Sequence, residues 1–308
     1  MASWTELIQE LNAIPPGDPK RGEWFQKRLS DALNGISARR GGRNVLFYAS
    51  AFLQKPALAP QFTQLTHEEI NGFMSCMYGM QWDRGLTLLL HTPGGVTNAA
   101  ETIVEYLHSK FTNIEVIVPT FAMSAGTMIS LASDKIVMGR PSQLGPIDPQ
   151  MPIGGKYVSA RGIVDQFEMA KKDISGNVVL AHAWAPILQS LGPSLLVEAQ
   201  NALDYGERMV SEWLCKRMLA GLTEGERQSK SQELAKFFND AANHKSHGRR
   251  IGREEARSHG VVVEDLEDDQ DLQEEVLTAY HVATICFEQT PLAKMLWSNH
   301  GQQWMKNA

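Results

Sequence analysis

The stretch His91–Thr92–Pro93–Gly94–Gly95 closes a run of apolar residues at 85–91 (GLTLLLH). About thirty residues on, Ala122–Met123–Ser124–Ala125–Gly126–Thr127 follows a second apolar run at 114–119 (IEVIVP). Each apolar run has the length of a buried strand, and each turn is followed by helical periodicity. Two strand-to-helix turns of this kind bring backbone N–H groups and one hydroxyl to the same end of a sheet. The rest of the chain is organised around that end.

Outward from the turns, residues 44–50 (NVLFYAS) and 135–138 (KIVM) read as further strands. Thr66 with Glu69 reads as a capping box opening a helix to about residue 78. Residues 98–110 form a helix whose buried stripe is Ala99, Ile103, Tyr106 and Leu107. Strands that are nearly continuous apolar runs, alternating with helices, predict an α/β fold with a parallel sheet covered on both faces and built from βαβ units. This block runs from about 43 to 145. From 159 the pattern turns helical (160–174, 178–190, 193–219 and 223–242), with a late strand near 261–263 and a helix at 274–288. The expected organisation is an N-terminal helical arm (1–42), a central domain (43–265) and a C-terminal helical tail (266–308). Apolar stripes in the arm (Trp24, Phe25, Leu29) and the tail (Trp297, Trp304) suit contacts to other elements or to further copies of the chain.

Composition narrows the classes. With 43% hydrophobic and 21% charged residues over 308 positions, the chain can bury a sizeable core, and disorder is not expected. The net charge of -6 argues against nucleic acid as main partner. Cys76, Cys215 and Cys286 are far apart, in no zinc-like spacing, and read as reduced thiols of a cytoplasmic protein. The N-terminus has no secretory pattern, and no run of about 18 apolar residues occurs, so any work at a membrane is peripheral. His244–Lys245–Ser246–His247 lacks the glutamate of the H-E-x-x-H zinc pattern and has no evident further ligands. No metal, cofactor or ATP site is expected.

The chemistry of the turns points to a nucleophile. A serine hydroxyl needs a tight turn and a neighbouring base to attack a carbonyl. Ala122, Ala125 and Gly126 are small enough to allow such a turn, and the Ala125 N–H, at a helix start, faces a developing oxyanion. Gly94 and Gly95 let the backbone approach a substrate closely and offer N–H donors. Each turn alone has an ordinary reading: Ser124 as a helix N-cap, Pro93–Gly95 as a plain turn.

The pair His91–Thr–Pro–Gly–Gly–Val–Thr–Asn–Ala–Ala100 and Ala122–Met–Ser–Ala–Gly–Thr–Met128 resembles the Clp protease/crotonase superfold, and within it the signal peptide peptidase A-like serine peptidases. The run Ser124–Ile129 through Leu144–Gly–Pro–Ile–Asp–Pro–Gln150 resembles the serine dehydrogenase proteinase family. His247–Ala256 with Gly260 is similar to a late strand-entry segment of such peptidases. The resemblance implies a serine endopeptidase with Ser124 as nucleophile and an oxyanion hole from Gly94 or Gly95 and Ala125. It also implies a polypeptide substrate and a homo-oligomer. No histidine lies at 144–150, where the Clp-type base is found, so a triad of that type is not expected. Asp148 stands there, as a residue that shapes the loop, binds substrate or simply forms the turn before Pro149. The resemblance implies a lysine base on the helix at 160–174, Lys172 in preference to Lys171. Such a base must be neutral, which requires burial or nearby positive charge. Two alternatives stay open: a non-catalytic peptide-binding or scaffold member of the fold, and a crotonase-like acyl-CoA enzyme.

Overall fold

The computed structural model describes residues 3–192 and 194–308; position 193, at the start of one expected helix, lies outside them. Contacts divide the chain into Met1–Leu144 with Ile251–Ala308, and Gly145–Arg250. This is not the division into arm, central domain and tail expected from the sequence.

The first unit opens with α1 (Trp4–Asn12) and α2 (Lys20–Arg39), followed by β1 (Asn44–Ser50), α3 (Glu69–Cys76), β2 (Leu86–His91) and α4 (Thr97–Lys110). Next come β3 (Ile114–Val118), β4 (Phe121–Ala122), α5 (Ala125–Leu131), β5 (Lys135–Met138) and β6 (Gln143–Leu144). The second unit holds β7 (Gln150–Ile153), β8 (Lys156–Ser159), α6 (Ala160–Gly176), α7 (Ala181–Gln189), α8 (Leu195–Lys216), α9 (Glu224–Asn239) and α10 (Ala241–His244). The chain then returns to the first unit with α11 (Arg253–Ser258), β9 (Val263–Asp265), α12 (Gln270–Gln289), β10 (Leu292–Ser298) and β11 (Gln303–Asn307).

The main sheet has the order β11-β10-β1-β2-β3-β5-β9. The run from β1 to β9 is parallel, as the uninterrupted apolar strands predict. β10 and β11 are antiparallel additions. This corrects the expected helical tail: after α12 the chain enters the sheet, and β10 is buried along its whole length. Lys294 hides that strand in the sequence, because a charge in the middle of LAKMLWS breaks the apolar run.

Of the expected outer stripes, Phe25, Leu29 and Trp297 belong to the core, and Trp24 packs half-buried against it. Leu7, Leu11, Phe25, Leu29 and Leu33 of α1 and α2 pack with Val276 and Val282 of α12 on Phe47, Leu89, Ile117, Met295 and Trp297. Burial of side chains of this size contributes about 1.5–3 kcal/mol each. In the second unit Ala160 and Ile163 of α6 pack with Leu195, Ala199 and Leu203 of α8, and Met151 and Ile153 of the unforeseen β7–β8 hairpin lie against them.

At the end of the sheet where the parallel strands begin, a charged network closes the core. Glu115 at the start of β3 is 2% exposed and accepts from Arg40 and from Thr87 Oγ1. Arg40 Nη1 also donates to Glu264 Oε1 at 2.7 Å, and Lys135 Nζ to Glu264 Oε2 at 2.5 Å. The Arg40 guanidinium first, then Lys135, hold the Glu264 carboxyl down to about 2. A carboxyl lowered in the folded state stabilises it above the unfolded value of about 4.5, and that contribution is lost as pH falls toward 2. Glu264→Gln is therefore expected to melt below wild type at pH 7, with the gap closing between about pH 4.5 and 2. Parallel melting curves across that range check this; a gap independent of pH refutes it.

Candidate active site

The site grows from the ends of β2 and β3. Parallel strands put their C-terminal ends on one edge of the sheet, where loops are free to carry chemistry. β2 ends at His91. Thr92 N then donates to Phe121 O at 2.9 Å, and Met123 N donates to Thr92 O at 3.1 Å. The two turns are thus laced together as a short parallel bridge between Thr92 and Ala122. On its other flank the glycine turn is held by Leu65, whose N–H donates to Gly94 O at 2.8 Å and whose carbonyl accepts from Val96 N at 2.9 Å.

Both glycines are required by this packing. Gly94 has φ 95°, and a Cβ there would lie 2.6 Å from Met123 O and 2.6 Å from Ser124 Cβ. Gly95 has φ 155°, and a Cβ would meet Leu65 O at 2.2 Å. The backbone of the first turn therefore rests directly on the serine turn. Gly94 N–H donates to Thr92 Oγ1 at 3.1 Å. Of the three expected donors, Gly95 and Ala125 are the ones whose N–H groups have no partner among the described residues.

Ser124 stands between β4 and α5 at φ 50°, ψ -116°. For a residue with a Cβ this conformation is strained, by about 1–3 kcal/mol. Its side chain makes no capping bond, which sets aside the N-cap reading. Its neighbours fix the turn. Gly126 N donates to Met123 O at 2.8 Å, and the buried Thr127 Oγ1 donates to Ala122 O at 2.7 Å. A strained serine at a sharp strand-to-helix turn, its oxygen uncommitted, is the local geometry of a nucleophile elbow.

His91 braces the edge rather than offering a proton carrier. Its Nδ1 lies 2.9 Å from Thr120 Oγ1, and its ring sits among Phe52, Phe121 and Tyr280. Burial pushes it down to about 3, so the imidazole is neutral at physiological pH.

The expected lysines lie in the second unit, on α6. Lys171 and Lys172 are both exposed, and Lys171 pairs with Glu168 at 3.5 Å. The face α6 buries carries Ala160, Ile163 and Ala170 instead. Burial, one of the two conditions under which the lysine reading expects a neutral base, is absent at both positions.

The same unit holds a pair the sequence reading did not assemble. Asp148, 2% exposed, accepts at Oδ1 from His247 Nδ1 over 2.8 Å, and at Oδ2 from Gln150 Nε2 over 2.6 Å. The His247 side chain is 30% exposed. The buried carboxylate fixes the orientation of the ring. His244 is committed elsewhere, with Nε2 against Phe237 O at 2.6 Å and Nδ1 accepting from Arg249 at 2.8 Å. The signal for the pair was weak in sequence, since Asp148 and His247 are 99 positions apart.

A mostly parallel α/β sheet that raises a strained serine beside a double-glycine turn defines a ClpP-like fold. Residues 36–184, a stretch that contains both turns, match the family described as ClpP-like SDH-type serine proteinase. The chain is 33% identical over 159 residues to the uncharacterized protein MJ0137 of Methanocaldococcus jannaschii, and 31% identical over 160 residues to MJ1495 of that organism, also uncharacterized. These matches cover 50% and 51% of this chain and 52% of each relative, so the chain spans about half the length of the curated relatives it matches. Similar solved structures include a mutant of the 1510-N membrane-bound stomatin-specific protease in complex with a substrate peptide. It has a TM-score of 0.38 and 18% identity, over 69% of this chain and 75% of that one. A ClpP1 mutant from Listeria monocytogenes has a TM-score of 0.37 and 12% identity, over 79% of this chain and 96% of that one. Among the described residues no helix is long and apolar enough to cross a membrane.

Proposed function

We propose that this chain is a serine peptidase that cleaves polypeptides through an acyl-enzyme on Ser124. The observation that carries the reading is the strained Ser124 turn, its hydroxyl uncapped, packed on Gly94 with the Gly95 and Ala125 N–H groups unpartnered. In the reaction, Ser124 Oγ attacks the scissile carbonyl carbon as its proton passes to a base. The Gly95 and Ala125 N–H groups receive the negative charge on the carbonyl oxygen. Collapse of the adduct breaks the C–N bond, and the leaving amine takes the proton from the base. Water then repeats the attack on the ester, releasing the acid and restoring Ser124. Mass-spectrometric mapping of a fluorophosphonate adduct tests the assignment: the adduct is expected on Ser124, and one confined to other residues overturns it. An acyl-CoA reaction of the crotonase kind has no need of a strained serine. Homo-oligomer formation belongs to this reading through the family resemblance, because Phe25, Leu29 and Trp297 of the end stripes are buried in the chain's own core.

The lysine reading assigns the proton to Lys172, or to Lys171. Under it, one of Lys172→Ala and Lys171→Ala is expected to lower kcat by about 10²–10⁴-fold while the other stays within about threefold of wild type. Full activity in both variants ends the dyad.

A further inference from the structure

The glycine turn leans on Leu65, and the next residue is tied to a buried charge. Thr66 N and Thr66 Oγ1 both donate to Glu69 Oε2, at 2.7 and 2.8 Å. The other oxygen of the same carboxylate, Oε1, accepts from Lys294 Nζ at 2.5 Å and from Tyr48 Oη at 3.3 Å. Glu69 is 1% exposed and Lys294 is 0% exposed. Burial, and after it the Glu69 carboxylate, hold the Tyr48 phenol well above its ordinary value, so it remains a donor.

In the sequence Glu69 reads as a helix-capping residue. In the fold its carboxylate joins two parts of the unit: one oxygen faces β1 and β10, the other faces the segment that flanks Gly94 and Gly95. An ion pair without solvent is on balance no more stabilising than a well-packed apolar pair, because desolvation of both charges offsets their attraction. What a charge pair adds is direction, since each hydrogen bond fixes an angle as well as a distance.

We propose that Glu69, anchored by Lys294 and Tyr48, is a positioning residue for the Gly94–Gly95 backbone. It locks Thr66, which locks Leu65. The paired bonds of Leu65 to Gly94 O and Val96 N then set the direction in which the Gly95 N–H points. The inference rests on the reading of Ser124 and the Gly95 N–H given above.

The test is the rate at which a fluorophosphonate labels Ser124, because the adduct places an oxygen where the carbonyl oxyanion would sit. Two double variants remove the charges without leaving one unpaired. Glu69→Gln with Lys294→Met keeps an acceptor for Thr66; Glu69→Leu with Lys294→Leu removes it. The first is expected to label within about threefold of wild type and the second at least about tenfold slower, with both folded by thermal melts. A folded Leu/Leu protein labelling at the wild-type rate overturns the proposal, as does equal slowing of both. If the Leu/Leu protein does not fold, Thr66→Val decides: it leaves the ion pair in place, and a fall of about threefold is expected where an unchanged rate refutes the link. Absence of any adduct on Ser124 in the wild-type chain refutes the reading of the site itself, a result distinct from each of these.

Discussion

Ser124→Ala is expected to lower kcat for peptide cleavage by about 10⁶-fold and to abolish fluorophosphonate labelling, with the melting temperature unchanged. The size follows from the role: without the hydroxyl no acyl-enzyme forms, whatever base or oxyanion donors remain. The stability result follows from the backbone. Alanine at φ 50° meets the same steric conflict as serine, so nothing is gained or lost. Glycine escapes that conflict. Ser124→Gly is therefore expected to be equally inactive yet more stable than Ser124→Ala, by about 1–3 kcal/mol less the entropy that glycine adds to the unfolded chain. Peptide hydrolysis, labelling and melting curves for the three proteins check both halves. Wild-type cleavage by Ser124→Ala removes Ser124 as nucleophile; a glycine variant less stable than the alanine one removes the strain.

Gly94→Ala is the second large effect. The added methyl would sit 2.6 Å from Met123 O, 2.6 Å from Ser124 Cβ and 2.9 Å from Ala125 N. Two of those atoms are backbone, so relief requires moving one turn away from the other. That displaces the hydroxyl and a proposed oxyanion donor together, and misdirecting one such donor costs about 10²–10³-fold in kcat. The expected outcome is a loss of that order in kcat with the protein still folded at 25 °C, measured against an exposed control, Gly162→Ala, which meets nothing within 4 Å. Wild-type kcat in Gly94→Ala shows that the contact between the turns does not set the geometry of the reaction.

The parallel strands and both turns were legible because their signals are local. β1 and β5 carry apolar runs with the boundaries read from sequence, and β2 and β3 differ from expectation by one residue each. The glycine and serine turns need small residues at particular positions, and such residues are visible one by one. What was hidden depends on partners remote in sequence. β10 was missed because Lys294 is acceptable inside a sheet only when Glu69, 225 positions earlier, meets it. Glu69 reads as a cap in sequence because Thr66 lies three residues before it. The bond to Thr66 is real, but the helix begins at Glu69 itself. His247 and Asp148 carry no mutual signal until the backbone joins them. The φ of Ser124 is a property of the folded turn, and a serine flanked by alanines does not announce it.

The antiparallel bridge between Leu144 and Ile251 has a genetic consequence. Each residue's N–H donates to the other's carbonyl at 2.9 Å, so the chain leaves the first unit and re-enters it across a single pair of hydrogen bonds. The whole of Gly145–Arg250 is thereby an insertion with adjoining ends, and its length is of little concern to the sheet that hosts it. Insertions or deletions at exposed turns of that segment are therefore expected to leave the host sheet, and with it the serine and glycine turns, folded.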